Sequence, residues 1–537
     1  MNFLSKDSSL EESIQKMKIV LENINCEVMF SKQIHPLKNC YSVNLASKEI
    51  PTILYSNGKG IIEDACVASA FGEFIERLQT NNFFIDFYLP NRKFYPDEVI
   101  LNYEDNYLNG KLLEIYNPDG ELCGDDLVDF NSDYEDKIVA LPFKNIKTDE
   151  DILFPINILA NLYVSNGLAT GNTPIEAKVQ ALSEIIERYV KMEIIKNGYA
   201  LPKFEDDVLR EFKTVYNDVK VLREKGFIVE VLDASLGGLF PVTAISFINP
   251  KISTLFVSFG SHPILEVSLE RTMTELMQGR SLDDLDVFDT PTFDMSIVAD
   301  SFNLESHFID STGKLGFSFL SSKKDFEFCK FNYNGSSTLD EYDFLVSILD
   351  KMDKDIYIRE YDYLGFYSCQ ILVPSVSEVY PISDLIYNNK NNAKLVRDMV
   401  LNFQDYDPED ILTEIEQLED TLDVGKYIGV IFEHSFVMRE FKSQMHILLD
   451  NYDEVLELLE FSDLKVSHVV VELIKMQNNG YNFKEYEKAL IDIFTHERLD
   501  LAKDILQKKK TLVDLSLDND YNTMLKIYDN IGLKKSI

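Results

Sequence analysis

Two helices of matching design constrain this chain more than any other feature. One carries Ser69-xxx-Glu73-xx-Glu76-Arg77 and the other Gln180-xxx-Glu184-xx-Glu187-Arg188. Positions i, i+4 and i+7 fall on one helical face, so each helix presents a stripe of one neutral polar group and two carboxylates. The neighbouring positions are apolar: Ala70, Phe74, Ile75 and Leu78 in the first, Ala181, Leu182, Ile185 and Ile186 in the second. Helices bordered in this way are mostly buried, which puts the acids in or beside the core. One such motif alone reads as a salt-bridged surface face; two copies on apolar helices argue against that. Carboxylates drawn together repel, and burial raises their pKa values unless a cation balances them. Oxygen ligands without imidazole or thiolate suit Mg²⁺ or Ca²⁺. A di-iron centre wants Glu-xx-His on two helices. Here an acid holds that position both times, and the histidines lie elsewhere, at 35, 262, 307, 434, 446, 468 and 496.

A third helix adds Arg271-xxx-Glu275 on one face, a guanidinium able to clamp phosphate oxygens and a further candidate metal ligand. Magnesium commonly bridges protein carboxylates to phosphates, which points to a nucleotide. Neither a GxxxxGK[ST] loop nor a strand followed by GxGxxG is present, so a nucleotide would be held through metals and not through a glycine-rich cradle.

The surrounding pattern is strand, Gly/Asn turn, helix, repeated three times. An amphipathic helix over 9–25 comes first. Strands are expected at Cys40–Leu45 and Thr52–Tyr55, a turn at Ser56–Gly60 and a helix from Glu63 to Thr80. The second unit places a strand at Asn157–Val164, turns at Ser165–Gly167 and Gly171–Thr173, and a helix over 174–197 with Thr173 as N-cap and Pro174 at its first position. The third runs from a strand at Leu255–Phe259 into a helix at Leu265–Gly279. Interspersed strands and helices predict an α+β core of mixed sheets and helices. From about residue 404 strand signals become rare and short helices dominate. The expected division is a nucleotide-binding unit over 1–403 and an all-α, helical-hairpin unit over 404–537 for interaction or dimerisation.

Length and composition agree with a folded, multi-domain protein of 537 residues, 45% hydrophobic and 12% aromatic. A net charge of −39 disfavours direct nucleic-acid binding through a broad surface. Cys26, Cys40, Cys66, Cys123, Cys329 and Cys369 are scattered with no CxxC pair, as expected of a reducing compartment. The start, Met1–Asp7, has no apolar signal core and no stretch is long and apolar enough for a membrane span, so the expected location is cytoplasmic.

At these residues the chain resembles the YcaO family. The match comprises the two motifs above, Asn166-Gly167…Gly171-Asn172-Thr173, and Leu269-Glu-Arg271-xxx-Glu275, in order over roughly residues 1–400. A longer match, Asn57-Gly-Lys-Gly60, Gly72-Glu73…Arg77, Phe259-Gly…His262-Pro263 and Val373-Pro374…Tyr380-Pro381, resembles an enterobacterial branch with a tetratricopeptide-like helical C-terminus. The resemblance implies ATP and Mg²⁺ as cofactors, with Glu73, Glu76, Glu184, Glu187 and Glu275 holding the metal ions. It implies that Arg271 meets phosphate and, with Glu187, serves catalysis, and that Ser69, Asn166, Asn172 and Gln180 line the nucleotide, with Lys6 and Ser13 contributing from the N-terminal segment. The family chemistry is phosphorylation of an amide oxygen in a peptide or protein, giving azolines or thioamides. Peptide-cyclising members end in a proline-rich tail, whereas this sequence ends Gly532-Leu-Lys-Lys-Ser-Ile537. For the enterobacterial branch the implied role is accessory: promoting β-methylthiolation of a small-subunit ribosomal protein by a radical methylthiotransferase, from a homodimer.

Overall fold

The computed structural model describes residues 4–535 except 91, 93, 94, 103, 105, 106, 283, 284, 286 and 310. The extreme ends, Met1–Phe3 and Ser536–Ile537, lie outside the described residues. Helix α1 (Leu10–Asn23) starts at a capping box between Ser9 and Glu12 and buries Met17, Val20 and Leu21. The first sheet follows: β1 (Val28–Phe30), β2 (Ile34–Leu37), β3 (Cys40–Ser47) and β4 (Tyr55–Gly60), with β1, β2 and β4 all pairing antiparallel to β3. Helix α2 (Glu63–Gln79) then crosses this sheet. A second sheet is built from β5 (Val99–Asn102), β6 (Lys137–Asn145), β7 (Asp151–Pro155) and β8 (Leu168–Gly171). Helix α3 (Pro174–Asn197) leaves β8 under the Thr173 cap, where Thr173 Oγ1 accepts from Glu176 N at 3.1 Å.

The third sheet is inserted at this point: β9 (Ile228–Asp233), β10 (Val242–Asn249) and β11 (Thr254–Ser261), running into helix α4 (Leu265–Leu276). Helix α5 (Thr338–Lys351) leads back to the second sheet, which β12 (Tyr357–Tyr361) and β13 (Tyr367–Leu372) complete in the order β5-β6-β12-β13-β8. Every recorded strand pairing among these residues is antiparallel. This is the mixed α+β arrangement expected from the sequence, and the three strand-to-helix units are β4–α2, β8–α3 and β11–α4.

Three local expectations fail. The run Asn157–Val164 is not a strand: Ile156–Ile158 is helical and Leu159–Tyr163 continues as a wider π turn. A short unbroken apolar run fits a buried helix as well as a strand, and the i,i+4 pair decides it, since Asn161 Nδ2 donates to both Asn157 O and Asn157 Oδ1 at 2.9 Å. The segment Ser56–Gly60 is not a turn but lies inside β4, paired from Leu45↔Ser56 to Tyr41↔Gly60, and the strand expected at Thr52–Tyr55 begins only at Tyr55, because Thr52–Leu54 forms the turn before it. The glycines are there because α2 lies directly on the strand. A Cβ on Gly58 would stand 2.3 Å from the carbonyl oxygen of Cys66 and 2.7 Å from Ala70 Cβ.

The helices beyond residue 404 divide between two cores. Ile411, Val424, Phe441, Met445, Tyr521, Met524 and Ile531 join the same cluster as Leu45, Phe74 and Leu78 of the first sheet and α2. The terminal helix Asn519–Lys535 reinforces this: Tyr521 donates to Tyr88 O at 2.6 Å and Lys535 Nζ to Asn81 Oδ1 at 2.5 Å, just beyond the end of α2. By contrast, Ile447, Val455, Leu459, Val470, Leu499 and Ile505 form a separate small core. Among the described residues no helix is long and apolar enough to cross a membrane.

Candidate nucleotide and metal site

The polar stripes of α2, α3 and α4 face one another across a cavity of about 1140 Å³. Its walls include Ser69, Glu73 and Glu76 from α2, Gln180, Glu184 and Glu187 from α3, and Arg271 and Glu275 from α4. The N-terminal segment closes one end with Lys6 and Ser13, opposite Asn172. Of the residues singled out from the sequence, only Asn166 stays out of the wall. It is buried beneath it, accepting from Arg188 Nη1 at 3.0 Å and donating to Ser377 O at 2.8 Å.

Each acid is engaged by the protein itself. Glu184 Oε1 lies 2.8 Å from Arg188 Nη1, and Glu73 and Glu76 each lie 3.6 Å from the Arg77 guanidinium. Glu187 Oε2 accepts from the backbone N–H of Ser261 at 3.1 Å. Glu275 pairs with Lys59 of β4. Arg271 donates from Nη1 to Ser261 O at 3.0 Å and from Nη2 to Gln180 Oε1 at 2.5 Å. The second-motif arginine, Arg188, is also stacked over Phe308, 4.5 Å from the ring centre.

The electrostatics are those of crowded, half-buried charge. Burial pushes the Glu76 carboxyl up to about 8 against the pull of Arg77, with Glu184 and Glu73 adding to the rise. Burial likewise raises Glu187, while Lys59 opposes it. The cations move the other way: burial lowers Arg271 and Lys59 although the glutamates around them favour the charged forms. Lys191, one turn beyond Glu187, is brought down to about 8 by burial; it donates to His307 O at 2.5 Å and to Ser311 Oγ at 3.0 Å.

At the far end, Ser13 Oγ donates to Asn172 Oδ1 at 2.7 Å, and Asn172 Nδ2 donates to both oxygens of Glu176 at 3.1 and 3.0 Å. Lys6 Nζ reaches the same carboxylate at 3.0 Å. Burial works to raise the Glu176 pKa, but Lys6 and the donors from Asp7 N and Asn172 outweigh it and hold it below the ordinary value. Ser5 Oγ donates to Glu341 Oε2 at 2.5 Å and lies 2.9 Å from His262 Nε2. The His262 Nδ1 accepts from Ile264 N, so Nε2 carries the proton.

The sequence patterns assign no site role to Lys59, Glu176, Lys191, His262 or Glu341. The signal for Lys59 was the two-residue period: as a strand, Ser56–Gly60 turns Gly58 and Gly60 toward α2 and Lys59 to the opposite face, toward Glu275. No spacing links His262 to Glu341, whose Oε2 lies 3.6 Å from His262 Nε2 with Ser5 of the N-terminal segment beside both.

The donor set fits hard divalent cations. Eight carboxylates on three helices line one cavity, the five predicted ligands among them; burial raises the pKa values of Glu76, Glu187 and Glu270, and no imidazole or thiolate stands among them. As they stand, no three acidic, histidine or cysteine side chains among the described residues converge closely enough to hold an ion. The acids are turned onto Arg77, Arg188, Lys59 and Ser261 N instead.

A family model described as YcaO cyclodehydratase, ATP- and Mg²⁺-binding, matches residues 57–377. The chain is 40% identical over 430 residues to the ribosomal protein S12 methylthiotransferase accessory factor YcaO of Escherichia coli, covering 77% of this chain and 73% of that one. It is 38% identical over 479 residues to an uncharacterized protein of Haemophilus influenzae, covering 84% and 81%. Among solved structures, the YcaO of Methanopyrus kandleri bound with AMPPCP and Mg²⁺ aligns at 14% identity with a TM-score of 0.44, covering 72% of this chain and 94% of that one. The matched segment holds all five glutamates and Arg271, and with the two sequence relatives it establishes that the chain belongs to the YcaO family.

Proposed function

We propose that this chain binds ATP with Mg²⁺ in the cavity between α2, α3 and α4. Its role is that of an ATP-consuming accessory factor in β-methylthiolation of a small-subunit ribosomal protein. The observation that carries the reading is the convergence of Glu73, Glu76, Glu184, Glu187, Glu275 and Arg271 on one cavity, in a chain closely related to the Escherichia coli accessory factor.

When bound, Mg·ATP supplies an electrophilic phosphoryl group that turns an amide oxygen into a leaving group. The five glutamates are the residues that would hold the metal ions. Arg271 presents a guanidinium already fixed by Gln180 and Ser261, so little side-chain freedom is lost when it meets an oxyanion. Arg77 and Arg188 orient the acids of their own helices. Ser69 and Gln180 line the same cavity. Lys6, Ser13 and Asn172 offer donors and acceptors where the N-terminal segment meets the start of α3.

The division at residues 403 and 404 belongs to the same proposal, with one refinement. The helices around Val424–Met445 and Asn519–Lys535 complete the core of the ATP-binding part, while the array with its own core, between Ile447 and Leu512, is the tetratricopeptide-like docking unit for the methylthiotransferase. The working form is a homodimer in the cytoplasm, which sedimentation of the purified protein tests.

Mass spectrometry of ribosomal proteins from cells with and without this chain tests the function. A methylthio adduct that disappears with the chain supports the proposal. An unchanged ribosomal protein, together with loss of water or oxygen-to-sulfur exchange in a peptide, supports the cyclodehydratase or thioamide reading of the same fold.

A further inference from the structure

Lys59 stands where three acid-bearing helices meet. It extends from β4 one residue before the strand ends, its backbone N–H lies 3.4 Å from Ser69 Oγ of α2, and its ammonium contacts Glu275 of α4. The same ammonium feels the charges of Glu187, Glu73 and Glu184, and the repulsion of Arg271. One lysine therefore neutralises carboxylates from both ExxER helices and from α4. The ion pairs of Arg77 and Arg188 are local: each serves an acid four residues earlier on its own helix, and Arg77 also serves the adjacent Glu76. Lys59 alone among these cations reaches the acids from a strand, and its charge acts on Glu275, Glu187, Glu73 and Glu184 together.

An ammonium and a hydrated divalent ion placed among the same carboxylates exclude one another by charge and by space. Lys59 carries a compact point charge on a flexible four-carbon stem and is only half-buried, so it can leave if another anion receives it. A polyphosphate entering beside Arg271 provides that anion within the same cavity.

We propose that Lys59 is an internal counter-ion that holds the glutamates closed to Mg²⁺ until a polyphosphate takes its charge, making metal and nucleotide binding mutually dependent. This rests on the Mg·ATP reading of the cavity and adds a positioning role for a residue outside the two ExxER motifs. By linkage, the factor by which nucleotide tightens Mg²⁺ binding equals the factor by which Mg²⁺ tightens nucleotide binding.

The test is calorimetric titration of Mg²⁺ into the purified full-length protein, with and without a non-hydrolysable ATP analogue. Wild type is expected to bind Mg²⁺ at least about tenfold more tightly with the analogue present. Lys59→Met is expected to bind Mg²⁺ without nucleotide about tenfold more tightly than wild type, so that most of the coupling disappears. Lys59→Arg, which keeps the charge, should keep the coupling. Circular dichroism confirms folding. Should Lys59→Met fail to fold, Lys59→Gln replaces it and the wild-type coupling is still read. Wild-type protein that binds the analogue and Mg²⁺ without coupling, or a folded Lys59→Met with unchanged affinity for Mg²⁺ alone, overturns the proposal. Wild type that binds neither ligand instead overturns the reading of the cavity on which it rests.

Discussion

Arg271 reaches from α4 to Gln180 on α3 across 2.5 Å. Its other arm donates to Ser261 O at 3.0 Å, while the N–H of Ser261 donates to Glu187 at 3.1 Å. The guanidinium is thus held in one plane by two acceptors on different elements. A lysine here keeps the charge but cannot make both bonds and still present a fork to phosphate. Arg271→Lys should weaken Mg·ATP binding by roughly tenfold to a hundredfold, the loss of one charge-assisted bond of about 1.5–3 kcal/mol, with circular dichroism unchanged. Isothermal titration of the nucleotide into both proteins checks this.

The path of α2 over β4 depends on glycine at position 58. An added methyl would meet Cys66 O at 2.3 Å and Ala70 at 2.7 Å, both on the rigid helix. Gly58→Ala must push α2 off the sheet, and should cost about 1–3 kcal/mol of stability. Because α2 carries Glu73 and Glu76, nucleotide affinity should fall as well. Urea denaturation and a nucleotide titration on the same sample separate the two effects.

The helical part makes unequal contributions. Ile531 is fully buried in the core shared with Phe74 and Leu78, whereas Ile493 is 70% exposed on the outer array. Ile531→Ala should cost about 2–5 kcal/mol, and Ile493→Ala under about 0.5 kcal/mol. Equal denaturation midpoints for the two variants would contradict the shared core.

His262 should shape the acid side of the stability curve. Burial holds its pKa down at about 4, with Glu341 opposing and the charges of Arg271 and Lys6 assisting; in an unfolded chain it is about 6.5. Between those values the unfolded state binds a proton that the folded state refuses. Stability therefore rises with pH through that window and falls on acidification. His262→Asn has no such proton to bind and should flatten the fall between about pH 6.5 and 4. Urea midpoints across that range, compared between the two proteins, give the answer.

Much of the site was legible because it is written at helical spacing. Glu73 and Glu76, Glu184 and Glu187, and Arg271 and Glu275 are local patterns that survive in one dimension, and the structure brings their faces to one cavity. The limits of α3 were legible for a similar reason, since Thr173 and Pro174 fix its start and Gly198 its end in a left-handed conformation. What escaped depends on tertiary contact. Lys59 was hidden because Gly58 and Gly60 look like turn residues until a helix is laid on them. Asn157–Val164 has no alternation that would separate a buried strand from a buried helix. The joining of Ile531 to Phe74 and the meeting of Ser5, His262 and Glu341 link positions hundreds of residues apart, and no local period records them.

The central claim is that glutamates from three helices hold Mg²⁺ against a nucleotide. It is tested most directly by thermal denaturation of wild type and Glu184→Gln with Mg²⁺ and ATP. At about a hundred times Kd, wild type should gain about 2.7 kcal/mol, and Glu184→Gln, which keeps the shape of the side chain, should gain almost nothing while melting normally without ligand. Equal stabilisation of the two proteins, or none in wild type, would contradict the account.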